Sequence, residues 1–246
     1  MSRARTIGVI GGMGPEATVD FFAKLVSATP ATRDQDHLRV LIDNDPSVPD
    51  RNAAIAGEGP SPAPRLALMA RGLVAAGAEL LVMPCNGAHA FADAVREAAP
   101  GVPFLSLIDA TVAATLARTP DVRAVGLLAT DGTLSARLYH DAFERAGVAA
   151  LTPSEIEQRT VMAAIYAVKA GAASEERRAA LRAVAERLCQ AGAEALINAC
   201  TELPLLLREG EVVMSGEVVP VIDSTDALVR ETLAAARGPA EAARDA

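Results

Sequence analysis

Ala76-Gly-Ala-Glu-Leu-Leu-Val-Met-Pro-Cys-Asn86 recurs as Ala191-Gly-Ala-Glu-Ala-Leu-Ile-Asn-Ala-Cys-Thr201, an offset of 115 residues that sets Cys200 on Cys85. Two weaker echoes agree with it. Ile7-Gly-Val-Ile-Gly-Gly-Met-Gly14 resembles Val125-Gly-Leu-Leu-Ala-Thr-Asp-Gly132, and Val102-Pro-Phe-Leu105 resembles Val219-Pro-Val-Ile222, at offsets of 118 and 117. A period close to half of a 246-residue chain is too long for a solenoid unit and reads as two similar halves. Within each half, short apolar runs (6–10, 38–42, 79–83, 102–105, 124–128, 194–198 and 219–222) alternate with Ala-rich segments of helical period (15–27, 64–76, 88–98, 109–117, 134–146, 154–170, 175–191 and 224–236). That alternation predicts a parallel sheet with crossover helices. Pro15 and Pro64 suit first helical positions, and Gly77, Gly147 and Gly192 suit the residue just past a helix. The expected fold is therefore α/β: two pseudo-symmetric domains, each a small parallel sheet flanked by helices. The first is expected over 1–108 with a returning segment 212–246, the second over 109–211, and the tail after Gly238 as frayed.

Composition narrows the function. Hydrophobic residues make up 51% and charged residues 22%, enough apolar material for a core. No apolar run approaches the ~20 residues of a membrane helix, and the N-terminus leaves no room for a signal peptide, so a cytoplasmic protein is expected. A net charge of −8, no Trp, two Tyr and five Phe argue against nucleic acid as a partner. Lys24 and Lys169 are the only lysines, which leaves two candidates for Schiff-base chemistry. Three cysteines in a cytosolic chain are expected to be reduced.

Ligands of open parallel sheets bind beyond the carboxyl ends of the strands, and that is where the repeat puts Cys85 and Cys200. If the halves face each other, two thiols enter one cleft from opposite sides. A thiolate and a thiol flanking one carbon suit proton removal on one face and return on the other, which inverts a stereocentre. Helix N-termini after each cysteine would lower the thiol pKa. The following backbone amides, with Asn86 and Thr201, would hold a carboxylate and stabilise charge that develops on it. A single cysteine is more often a small buried hydrophobe; the symmetric pair shifts the balance, while Cys189, mid-helix and without a counterpart, keeps the structural role.

The residues resemble a known family, the cofactor-independent aspartate/glutamate racemases, most closely their aspartate branch. The motifs that carry the resemblance are Ile10-Gly-Gly-Met-Gly-Pro-Glu-Ala-Thr18, Pro49-Asp-Arg-Asn52, Pro84-Cys-Asn-Gly-Ala-His89, Ala164-Ile-Tyr-Ala-Val-Lys-Ala-Gly171 and Ala199-Cys-Thr-Glu-Leu-Pro204. They span essentially the whole chain. The resemblance implies a homodimer of two-domain subunits, a small amino acid as substrate (L- and D-aspartate or a relative such as glutamate), and racemisation by a thiolate/thiol pair without pyridoxal phosphate or metal. Carried over by position, Cys85 and Cys200 are the acid and base. Asn86 and Thr201 hold the α-carboxylate, Arg51 and Lys169 recognise a side-chain carboxylate, and Met13 lines the pocket. Gly87 stands where the family has threonine, which removes a hydroxyl and opens space beside Cys85, so substrate preference can depart from plain aspartate.

An isomerase of the same fold acting on a non-amino dicarboxylate or a hydantoin, and a catalytically silent amino-acid-binding protein, are the alternatives. Gly12-Met-Gly-Pro-Glu-Ala17 fits a loose dinucleotide fingerprint but lacks its acidic partner, so a tight turn offering backbone donors is preferred. His89 beside Cys85 lacks zinc-ligand spacing and suits a capping or supporting role. Asp43 and Asp45 read as turn or rim residues. The Pro- and Gly-containing segment 44–62 reads as a lid.

Overall fold

Ile7–Gly11 forms a strand (β1) buried along its entire length, as a run of apolar residues covered on both faces should be. The computed structural model describes residues 4–237, and the chain divides into two units: residues up to Ala110 with those from Thr225 onward, and Thr111–Ser224. The tail after Gly238 lies outside the described residues.

In the first unit β1 leads into helix α1 (Pro15–Ala28), with Pro15 in its first turn and Ala17, Thr18, Phe21 and Leu25 on the buried face. Then follow β2 (Val40–Asn44), α2 (Arg51–Ile55), α3 (Ala63–Ala75), β3 (Leu80–Val82), α4 (Ala92–Ala98), β4 (Phe104–Leu105) and α5 (Leu107–Arg118). The four strands pair in parallel in the order β2-β1-β3-β4. Ile10, Met13, Val48, Leu66, Met69, Leu81 and Met83 share one buried cluster with Cys85.

The second unit runs β5 (Ala124–Ala129), α6 (Asp131–Ser135), α7 (Leu138–Arg145), β6 (Ala149–Leu151), α8 (Glu155–Lys169), α9 (Glu175–Gln190), β7 (Ala195–Ala199), the hairpin β8 (Val213–Met214) and β9 (Glu217–Val218), and β10 (Val221–Asp223). Its parallel sheet has the order β10-β7-β5-β6, the arrangement of the first sheet with β5 in the place of β1 and β7 in the place of β3. Leu128, Val161, Ile165, Leu181, Val184, Leu196 and Leu203 form its core together with Cys200. α10 (Ser224–Arg237) then returns to the first unit, where Arg5 N donates to the Ala236 carbonyl (2.9 Å) and Lys24 pairs with Asp226 (3.0 Å).

Two expectations shift. The chain leaves the second unit at Thr225 and not at 212, because β10 pairs with β7 and completes the second sheet. The segment 44–62 carries α2 and buries Val48 in the first core.

Candidate active site

Cys85 stands three residues beyond β3, an inner strand, in Met83-Pro-Cys85. Its amide donates to the Met83 carbonyl (2.8 Å), a tight turn that carries the chain out of the sheet. A 3-10 turn over Gly87–Phe91 follows and leads into α4. The thiol is nearly enclosed: Cys85 is 8% exposed, within the cluster that holds Met13 and Val48. Asn86, 4% exposed, begins the turn, and the amide of His89 donates to its carbonyl (3.0 Å). Gly87 opens the 3-10 turn without a positive φ, so its backbone conformation is one that other residues adopt.

The glycine turn after β1 packs closely against the segment that follows β2. Gly12 has φ +93°, and a Cβ there would lie 2.4 Å from the Asp45 backbone, so only glycine fits. Its amide donates to the Thr18 hydroxyl (2.9 Å), and Asp45 N donates to the Gly11 carbonyl (3.4 Å). The Gly12 amide is thus engaged within the turn, and the Met13 side chain beside it is buried in the first core. Asp45 is a turn residue as read: it accepts from Ser47 N and Oγ and pairs with Arg65. Arg51 opens α2 behind the N-cap Asp50, whose carboxylate accepts from Ala53 N (2.8 Å). Its Nη1 donates to the carbonyls of Val48 and Pro49 (3.1 and 3.0 Å), and α2 lies against the 3-10 turn that follows Cys85. Arg51 and the Cys85 turn are therefore neighbours in the first unit.

In the second unit Cys200 follows β7 directly and is 5% exposed. Its thiol donates to Glu202 Oε2 (2.9 Å), which also accepts from Thr201 Oγ1 (3.1 Å). Glu202 Oε1 is 3.7 Å from Lys169 Nζ at the end of α8. One nearly buried carboxylate thus gathers Cys200, Thr201 and Lys169. Burial, then the Glu202 charge and its hydrogen bond from the thiol, push the Cys200 pKa well above its ordinary value, and Lys169 offsets this only in part. This corrects the expectation of a lowered pKa for Cys200: the helical turn beyond it is three residues long, Leu203–Leu205, and a carboxylate touches the sulfur. The raised pKa and the hydrogen bond to Glu202 both favour the thiol form of Cys200.

Glu202 is the residue that sequence reasoning missed. Its signal was present, since the 115-residue offset aligns it with Gly87, but an acid beside a cysteine has no fixed meaning until the side chains are placed. Cys189 is half-buried in the last turn of α9, not mid-helix as expected, and packs against the second core. Among the described residues no group of three or more His, Cys, Asp or Glu is placed to hold a metal ion, and no helix is long and apolar enough to cross a membrane.

The chain is a parallel α/β protein that closes the matching inner strand of each sheet with a buried cysteine. Residues 10–232 match the model of the Asp/Glu/Hydantoin racemase family, and the chain belongs to that family; racemases are isomerases. The solved aspartate racemase of Picrophilus torridus is 32% identical, with 93% of each chain covered and a TM-score of 0.77. The broad specificity amino-acid racemase RacX of Bacillus subtilis (strain 168) is 25% identical over 231 residues, which are 92% of this chain and 96% of that protein. The glutamate racemase of Roseiflexus sp. (strain RS-1) is 32% identical over 165 residues, 64% of this chain and 56% of that protein.

Proposed function

We propose that the protein is an amino acid racemase that interconverts L- and D-aspartate, or a close relative such as glutamate, by proton exchange with Cys85 and Cys200. The observation that carries the reading is the pair of buried cysteines closing equivalent strands, one of them held as a hydrogen-bonded thiol by Glu202. In one direction Cys85, as thiolate, takes the α-proton: the Cα–H bond breaks and an S–H bond forms. Cys200 then gives its proton to the opposite face of the carbanion and is left as thiolate. The reverse direction restores the first state. General acid–base catalysis of this kind contributes ~10²–10⁴-fold. Both transfers use thiols alone, so the reaction needs neither pyridoxal phosphate nor metal. The two lysines support this, since Lys24 pairs with Asp20 and Asp226 and Lys169 with Glu202.

Asn86 and Thr201 would hold the α-carboxylate, where charge grows as the proton leaves. Arg51 keeps one guanidinium nitrogen on backbone carbonyls, and its fork has further donors suited to a side-chain carboxylate. Lys169 would turn from Glu202 toward the same group. The absent side chain at Gly87 gives room for a substrate larger than aspartate.

Incubation of the protein with L-aspartate and L-glutamate in deuterated water tests the reading. The expected result is α-deuterium in both enantiomers of at least one of them; no exchange with either, or with a wider panel of amino acids, overturns it.

A further inference from the structure

His89 is 7% exposed, and its ring joins two parts of the first unit that are far apart in sequence. The amide of Leu107, the first residue of α5, donates to His89 Nε2 (3.0 Å). Nε2 must therefore present its lone pair, which puts the proton on Nδ1, and Nδ1–H donates to the Cys85 carbonyl (2.8 Å). The two contacts fix a single neutral tautomer. The Phe104 ring lies 5.6 Å from the imidazole, with the Arg96 guanidinium over its other neighbourhood at 5.4 Å from the Phe104 centroid. The Leu107 amide is in the first turn of its helix, where the helix supplies no acceptor of its own. At the other end, Cys85 lies past the strand ladder and beside Pro84, which has no N–H to give.

We propose that His89 is a positioning residue for Cys85: by binding the Cys85 carbonyl and the first amide of α5 together, it sets the peptide plane that aims the thiol. The inference rests on the reading above, in which Cys85 exchanges a proton with substrate. Proton transfer from carbon depends steeply on approach, so a loosened peptide plane lowers turnover more than binding.

Two substitutions separate aiming from mere support. His89→Leu fills the space without either hydrogen bond. His89→Gln offers a donor and an acceptor on one planar carbon, as the ring does. Two measurements are made on each: iodoacetamide labelling of Cys85 relative to Cys200, mapped by mass spectrometry on the same molecules, and kcat and KM for L-aspartate α-proton exchange. H89L is expected to raise the labelling ratio by roughly fivefold and to lower kcat by about 10–100-fold, with KM within about twofold. H89Q is expected to return both to within about threefold of the unchanged protein. If H89L does not fold, His89→Met, which also makes neither hydrogen bond, replaces it with the same comparison. An unchanged labelling ratio, or H89Q no better than H89L, overturns the proposal. Should the unchanged protein exchange no α-proton, the racemase reading fails, and the labelling ratio still judges the role of His89.

Discussion

The two units solve the same architectural problem alike and the same chemical problem differently. In the first, a Cβ on Gly8 would come within 2.7 Å of Ala78 Cβ and 2.8 Å of Leu81 Cδ2, with Leu73 of α3 next. In the second, a Cβ on Gly126 would meet Leu196 at 2.8 Å and Leu188 of α9 at 3.1 Å. Each leading strand gives up a side chain so that a crossover helix can approach. Glu79 accepts from Thr6 N and Glu194 from Arg123 N, both at 2.7 Å, so even the acid that ties neighbouring strand starts is repeated. At the thiols the correspondence stops. Cys85 is held from its carbonyl by a neutral imidazole that leaves the sulfur alone, whereas Cys200 is held at the sulfur by a carboxylate. The contacts that hold each sheet are thus repeated in both units, and the contacts at the two cysteines are not.

The strongest way to break this comparison is to delete one thiol at a time. Cys85→Ala and Cys200→Ala are each expected to lower racemisation by ~10³-fold or more, while Cys189→Ala leaves it unchanged. Comparable activity in either of the first two would mean that the units do not share the reaction. The next effect falls on stability and on the first unit alone. Burial lowers the His89 pKa to about 4 from 6.5, helped by Arg96 and opposed by the Cys85 carbonyl and Asp109. Between those values the unfolded chain takes up a proton that the folded chain refuses, so stability falls as pH drops from 6.5 toward 4, by ~3 kcal/mol in all. Denaturant unfolding across that range is expected to show the loss, and H89Q to flatten it; equal slopes in the two proteins would mean that the imidazole is not held neutral. The smallest effect sharpens the second unit. Glu202→Gln removes the charge beside Cys200, and the midpoint of Cys200 alkylation against pH is expected to move down. No movement would release Glu202 from its role.

Much of this was legible in the sequence, and what was not has identifiable causes. The repeat, the inner strands, the long helices and the strand-end cysteines follow from apolar periodicity, which reports burial directly. β6 was not read because Ala149-Ala-Leu151 is short and alanine-rich, without the β-branched side chains that mark a strand. The helix expected over 134–146 divides into α6 and α7 at Arg137, which takes φ 54°, a conformation no propensity scale assigns to arginine. α2 hid in a Pro- and Gly-containing stretch because five residues are too few to show a period. The hairpin β8–β9 turns through Ser215 and Gly216, both at positive φ, and pulled the expected unit boundary too early. At the site, residue types and spacing named the thiols and the family resemblance named Arg51 and Lys169, but pairing is a property of side-chain placement. The Lys169–Glu202–Cys200 chain and the His89 bridge depend on rotamers, and the Lys169–Glu202 and His89–Leu107 contacts join residues 33 and 18 positions apart, which no local pattern encodes.

The return of α10 gives the chain an order of completion. The ribosome adds ~5–20 residues per second from the N-terminus, and domains fold as units once their chain is available. Every residue of the Thr111–Ser224 unit is made before the helix that the first unit awaits. The first-made segment is thus closed last, by contacts such as Arg237 to the Pro30 carbonyl, 207 residues apart. The unit that carries Cys200 can therefore be complete in chain while the one that carries Cys85 still lacks its last helix.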